Sequence, residues 1–468
     1  MFKTETSKPL SARQRKGFIK AVTIVFLMIF FNSCDVLNVE PYHSIPAELA
    51  IETKKDVESA ITGVYSSLQS AGYYGRNYLV AGDLAADNLN WTGTTAGYNQ
   101  MDNNSILADN VIVEGIWSAL YSTINRVNYT LEAIPGVLQN DENMTLEHAR
   151  DFEAELRLIR AMAHFDLARM FGPVPVRTAV ATISEEDLNV PRRPLNEVYA
   201  QIFEDLLFAE THLRDQIVRG KLSKAAAKAL TARANLYKYS TNPDPGFLTA
   251  AVDYATMLID DQRIALEPEF ATLFEGTPNS ESIFEVNFGE QDRNRLAEYF
   301  FPTALSGRRE FSPTEKLYDA FEETDVRRDV SIAMDGNNLY AIKYHDIETG
   351  TDNVYVLRLA EMYLIRAEAL VLLNTSLETA RDDINAIRER AGLEALTTTD
   401  PVLLEEQVML MRQLEFAFEG HRWFDLTRTG RAIDVLDGVT DECQYLFPIP
   451  LGELLTNFHE GMYQNDCY

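Results

Sequence analysis

The sequence predicts an all-α protein in which paired helices form a scaffold and two loop-rich insertions carry short β segments. Helical spacing is the first observation behind this. In "DFEAELRLIRAMAHFDLARMFG", Phe152, Leu156, Ile159, Ala163, Leu167 and Met170 recur every three or four residues, which lines one helix face. Gly172 and Pro173 end that run. Pairing is the second. "LRLAEMYLIRAEALVLL" places Ala360, Tyr363, Leu364, Ala367 and Val371 on one face, with Arg358, Glu361 and Glu368 off it. After the break at Asn374-Thr375-Ser376, "ETARDDINAIRERAG" repeats the pattern through Ala380, Ile384, Ile387 and Ala391, and Gly392 suits a left-handed stop. The third observation is that residues 72–112 and 262–354 lack this period and are rich in Gly, Asn, Asp, Pro and aromatics.

The elements follow in chain order. Lys3, Lys8, Arg13, Arg15, Lys16 and Lys20 face one acid, Glu5, in the first 20 residues. The apolar run "AVTIVFLMIFF" (21–31) is too short to span a bilayer, which takes about 20 residues, and suits the core of a secretory signal. Small Ser33 precedes Cys34, so residues 1–33 read as a signal peptide and Cys34 as a lipidated first residue. Acyl chains on one cysteine hold a protein to a membrane far better than a single chain does.

The scaffold then reads as about 34–71, 113–261 and 355–430, with a tail over 431–468. Within it, "LNEVYAQIFEDLLFAETHL" runs into "SKAAAKALTARANLYKYS", and "FLTAAVDYATMLIDD" follows. Alanine-rich pairs of this length fit tetratricopeptide-like repeats and a non-repetitive helical bundle equally well, since no strict 34-residue period is present. In the second insertion, "SIFEVNF" and "NVYVLRL" read as short strands.

Long loops in a compact domain are usually functional or disordered, and regular aromatics argue against disorder. Function is therefore expected in the insertions. The first holds Tyr73, Tyr74, Tyr78, Trp91 and Tyr98 among Arg76, Asp83, Asp87, Asn88, Asn90 and Asn99. A sugar ring has an apolar C–H face and a hydroxyl rim, so aromatics with amides and carboxylates suit its capture. The expected ligand-binding set is Arg76, Asp83, Asn90, Trp91, Tyr98 and Asn99, with Trp91 the leading residue. A second strip, "NRLAEYFFPTALSGRREF", adds Arg295 and Tyr299, beside Phe300 and Phe311. For any one aromatic, burial as a loop anchor is the commoner role.

"RQLEFAFEGHRWFDLTRTGRA" spaces Glu415, Glu419, Arg422, Asp425 and Arg428 three or four residues apart, the spacing of an ion-pair ladder on one helix. A glycosidase would use two such acids. In a chain with 71 acids a carboxylate pair has little specificity, and the structural reading is preferred. The chain shows no nucleophile elbow, phosphate-binding glycine loop or HExxH, and its seven histidines lack metal-ligand spacing, so no enzyme activity, cofactor or metal is expected. The net charge of −29 disfavours nucleic acid and anionic lipid as partners. Cys443 and Cys467 are the remaining cysteines and are expected to close a loop as a disulfide.

Together these pieces resemble the SusD/RagB-like outer-membrane lipoproteins of Bacteroidetes. The likeness rests on "CDVLNVEP", "AITGVYSSL", "AELRLIRAMAHFDLARMFGPVPV", "RLAEMYLIRAEAL", "INAIRERAGL", "LEFAFEGHRWFDLTRTG" and the tail "LFPIPLGELLTNFHEGMYQNDCY". Asp466 and Cys467 stand where the family's "QNPGY" ending has Pro and Gly, a further reason to expect the bridge. The resemblance implies four tetratricopeptide-like helix pairs beneath a variable face. It also implies a surface lipoprotein, anchored in the outer membrane, that captures an oligosaccharide or polysaccharide without chemistry. The implied partner is a SusC-like TonB-dependent transporter. Peptide or glycopeptide capture, a glycan-hydrolysing surface enzyme and a tetratricopeptide-type adaptor that binds only proteins are the alternatives.

Overall fold

The computed structural model describes residues 51–181, 184–276 and 278–468. The signal-like segment and Cys34 lie outside them. Helices α1 (Lys54–Leu68), α2 (Asn77–Leu84), α3 (Ala96–Asp102), α4 (Val111–Asn140) and α5 (Leu146–Phe171) come first. Then follow α6 (Leu195–His212), α7 (Lys224–Thr241), α8 (Pro245–Ile259), α9 (Leu359–Leu372), α10 (Leu377–Arg390), α11 (Pro401–Glu415) and α12 (Arg422–Arg428).

From α4 to α10 each helix packs on the next, and α11 packs on both α9 and α10. Short connections fold each helix back on its predecessor. Caps set the boundaries. Asn110 accepts from the Ile112 and Val113 amides at the start of α4, and Thr145 forms a capping box with His148 at the start of α5. Gly172, at φ 74°, ends α5 in a conformation costly for other residues. The stripe expected on α5 is there, but neighbours cover its other faces too, and Glu155, Arg160, His164 and Asp166 are buried with it.

Among the described residues, six short strands form two-stranded antiparallel sheets: β1 (Leu89–Trp91) with β3 (Phe311–Pro313), β2 (Ser282–Val286) with β6 (Val354–Arg358), and β4 (Ile332–Asp335) with β5 (Asn338–Ala341). The two strands read from sequence are β2 and β6, and they pair with each other. The tail is fastened by a disulfide between Cys443 and Cys467, whose Cα atoms are 5.7 Å apart.

Residues 72–112 differ from the polar loop that the sequence suggested. They form α2, β1 and α3, and much of their surface is buried. The hydroxyls of Tyr73, Tyr74 and Tyr78 all donate to Asp166 on α5, at 2.6, 3.0 and 2.5 Å. Arg169 holds the same carboxylate at 2.8 Å. These tyrosines are anchors, because a buried carboxylate needs donors and three phenols plus a guanidinium supply them.

The charge-dense motif also departs from expectation. Only Asp425–Arg428, at 2.8 Å, forms as a local pair. The chain turns sharply between α11 and α12, with Phe418 and Gly420 at φ 67° and 77°, so the other partners are remote. Glu419 meets Lys343 and Arg358, Arg422 meets Asp87, and Asp425 also meets Arg412. A Cβ on Gly82 or on Gly420 would run into the opposing backbone of the other element, so α2 and this turn touch main chain to main chain. Both glycines are therefore required where the motif clamps the first insertion.

Candidate functional site

Beneath β6 lies a buried ionic cluster. Arg358 reaches Glu281 at 2.7 Å, Glu415 at 2.8 Å and Glu419 at 2.9 Å. Arg390 adds bonds to Glu281 and Glu415, and Arg327 bonds Asp325 and Glu415. Burial alone would raise the Glu415 carboxyl, but Arg390, Arg358 and Arg327 outweigh it and hold it far below the usual range. These carboxylates are committed to cations inside the fold, the arrangement of a structural network.

The surface above β1 and β3 is built differently. The register sets Trp91 opposite Phe311, and the Thr92 amide and hydroxyl bond the carbonyls of Glu310 and Arg309 at 2.9 and 2.8 Å. This pairing joins the two aromatic strips that lie some 200 residues apart in the chain. Phe311 is fully buried, with Tyr98 edge-on at 4.8 Å, Phe300 at 5.9 Å and Tyr299 near-parallel at 6.0 Å.

The expected ligand residues divide into three groups. Asp83 and Tyr98 are inside the fold. Tyr98 donates to Asn77 Oδ1 at 2.8 Å, and burial pushes its hydroxyl up to about 12. Asp83 accepts from Asn88 Nδ2 at 2.6 Å and the Gly420 amide at 2.8 Å, and burial pushes its carboxyl up to about 7. Both face protein, because the clamp on α2 and the floor under Phe311 need them there.

Arg76, Trp91, Tyr299 and Arg295 reach the surface around this strand pair. Trp91 is half-buried. Its Nε1 lies beside the Glu310 carboxylate without regular hydrogen-bond geometry. The Arg76 guanidinium lies 4.0 Å from the Tyr299 ring centroid, and Arg308 lies 5.2 Å from it. The ring is thus already engaged by cations. Tyr299 holds two arginines, and the Trp91 ring has no aromatic or cationic partner among the described residues. Asn90 and Asn99 form the third group: Asn90 is exposed on β1, and the half-buried Asn99 is bonded by Asn103 at 2.7 Å.

Sequence reasoning missed Glu298, Arg308, Arg309 and Glu310. Glu298 bonds Arg295 at 2.7 Å and Arg308 at 2.5 Å; burial raises its carboxyl, but the two arginines outweigh that and lower it. Glu310 accepts from the Thr94 and Thr95 amides at 3.1 and 2.8 Å. Arg309 sits at φ 49°, after Ser306 at φ 67°, in the turn that leads into β3. The signal that could have found them is the doubled arginine of "SGRREF" between aromatic pairs in an acidic chain.

Half-open clefts of about 520 and 320 Å³ lie elsewhere, against α4. The smaller one holds Trp117 and Tyr121, but the fold uses their polar ends: Trp117 Nε1 donates to Glu453 at 3.3 Å and the Tyr121 hydroxyl to the Pro175 carbonyl at 2.8 Å. The open face at Trp91 carries the freer chemistry.

Stacked helix pairs beneath an open aromatic and cationic face describe a scaffold that presents a surface. Comparison with known proteins places it. Residues 340–438 match the SusD family, and residues 35–236 match a SusD-like family described as starch-binding and associating with the outer membrane. SusD-like protein P2 of Formosa agariphila is 27% identical over 93% of this chain and 97% of its own length. Among solved structures, a SusD superfamily protein from Bacteroides vulgatus superposes with a TM-score of 0.79 at 22% identity, covering 88% of this chain and 99% of its own. A laminarin-binding SusD-like protein superposes with a TM-score of 0.78 at 24% identity, covering 89% and 100%. Two SusD family models thus match separate stretches of the chain, and the relatives and solved structures similar to it carry the SusD name.

Proposed function

We propose that this protein is a non-catalytic glycan-binding lipoprotein that captures an oligosaccharide and passes it to a SusC-like TonB-dependent transporter. The observation that carries the reading is the pairing of Trp91 with Phe311, against which Tyr299 packs with Arg76 and Arg308 on its ring. An aromatic platform rimmed by fixed hydrogen-bond donors matches the two surfaces of a sugar ring. The relatives support it: one similar structure is a laminarin-binding SusD-like protein and another is surface glycan-binding protein A from Bacteroides uniformis, 23% identical with a TM-score of 0.76. A role without chemistry agrees with the commitment of Glu415, Glu419 and Asp425 to arginine and lysine inside the fold.

The family's outer-membrane association supports that location. Cys34 is the proposed lipid anchor and first mature residue; no described helix is long and apolar enough to cross a membrane. The test has two parts. Calorimetric titration with a glycan library should show binding that Trp91→Ala weakens roughly 30-fold; binding of peptides alone, or release of cleaved product, would contradict it. Affinity purification of the lipidated protein from detergent-solubilised membranes should bring down a barrel-sized transporter. Recovery of the protein alone would remove the delivery role.

A further inference from the structure

The face around Trp91 has a charge that the rest of the chain does not share. The protein carries a formal −29, yet Arg76, Arg295, Arg308 and Arg309 gather beside one strand pair. Arg295 and Arg308 divide a single carboxylate, that of Glu298. Arg76 and Arg309 enter no ion pair among the described residues. Arg76 uses its Nε on Asn77 Oδ1 at 2.8 Å and rests on Tyr299, while Arg309 Nε is buried with no acceptor.

Glu310 is held by the Thr94 and Thr95 amides and acts on Arg308 together with Glu298, and Asp102 lies beside the Trp91 backbone. Stacking on Tyr299 holds Arg76 and Arg308, and the shared Glu298 carboxylate holds Arg295 and Arg308. Much of their donor capacity still faces outward: the Arg308 and Arg295 side chains are 56% and 50% exposed. A guanidinium presents a planar fork that matches a carboxylate or sulfate with two parallel bonds. Such a fork wins little from a neutral hydroxyl that water could not also supply.

We propose that the oligosaccharide taken at this face is anionic, with carboxylate or sulfate groups read by Arg76, Arg308 and Arg309 while Trp91 stacks on a sugar ring. This rests on the glycan-binding reading above and specifies its ligand class. The acidic body does not forbid it. Exposed charges farther than about 8 Å are largely screened at physiological salt, so the nearby arginines dominate a bound anion's surroundings. The distant acids slow its approach, and neutral or weakly charged chains gain no comparable contact here. Tyr299 acts as a positioning residue that holds two guanidinium groups at ligand height.

The experiment titrates the full mature protein with matched pairs. Oligogalacturonate is set against its carboxyl-reduced neutral form, and dextran sulfate oligomers against dextran oligomers. The expected result is binding of at least one anionic member and about 10-fold or weaker binding of its neutral partner. That binding weakens as NaCl rises from about 0.05 to about 0.5 M. Arg308→Ala and Arg76→Gln each reduce it by about 10-fold without lowering the melting temperature. Preference for the uronate pair or the sulfate pair identifies the anion. Equal or tighter binding of the neutral members, dependent on Trp91 and insensitive to salt, overturns the anionic assignment and leaves glycan capture standing. Failure of every glycan in both series overturns both. Anion binding retained in the Arg76→Gln, Arg308→Ala double variant also refutes the assignment.

Discussion

Two groups of arginines, one under β6 and one above β1 and β3, differ in what surrounds them. Under β6, Arg358 is 2% exposed and meets three glutamates, and its neighbours Arg390 and Arg327 share those acids. Above β1 and β3, Arg76 and Arg309 meet no carboxylate among the described residues, and Arg295 and Arg308 share one. A buried cation without a partner costs several kcal/mol, so the first group must be matched. An exposed cation has no such need, and keeping it unmatched preserves its capacity for a ligand. The same side chain thus serves folding in one place and, in the proposed function, recognition in the other.

Changes in the buried group should have the largest effect. Arg358→Ala leaves three carboxylates without their central cation and should destabilise the fold by about 3–5 kcal/mol in urea unfolding. A loss under about 1 kcal/mol would mean that the network is not structural.

Asp83, in the clamp between α2 and the α11–α12 turn, sharpens the contrast through pH. The folded form keeps its proton up to about pH 7, whereas the unfolded chain releases it near 3.8. Stability should therefore fall as pH rises between those values and level off above them, with an upper limit of about 4 kcal/mol. Asp83→Asn should flatten that slope in unfolding measured at pH 5 and pH 7.5, and an unchanged slope would assign it to other groups.

The Cys443–Cys467 bridge closes a loop of 24 residues, and opening it with Cys443→Ser should cost about 3 kcal/mol while leaving ligand affinity intact. Trp91→Ala works the other way: glycan affinity should drop by about 2 kcal/mol, roughly 30-fold, with little change in melting temperature. Smallest in stability is Arg308→Ala, expected within about 0.5 kcal/mol of the parent because its partner pair is solvent-exposed.

The helical scaffold was legible because its signal is local. Apolar spacing and the stop at Gly172 mark α5, and the break at Asn374–Ser376 separates α9 from α10. What was not legible depends on partners far along the chain. Nothing near Tyr73, Tyr74 or Tyr78 announces Asp166, about 90 residues away, as their common acceptor. The ladder in 414–430 looked local because three- and four-residue spacing was read across a turn at Phe418 and Gly420 that the helical pattern hides. At the candidate site the chemistry of Arg76, Trp91, Arg295 and Tyr299 was readable from residue type. Their meeting depends on the pairing of Trp91 with Phe311, which no sequence spacing specifies. Asp83 and Tyr98 share the composition of a sugar-binding loop, yet burial gives them protein partners.

The most direct test of the whole account is a crystal structure of the protein with the tightest-binding oligosaccharide from the titration series. The account predicts a sugar ring on Trp91 and an anionic group within hydrogen-bond distance of Arg76, Arg308 or Arg309. A ligand seated instead in the cleft between Trp117, Tyr121 and Glu453, with the strand-pair face empty, would contradict it.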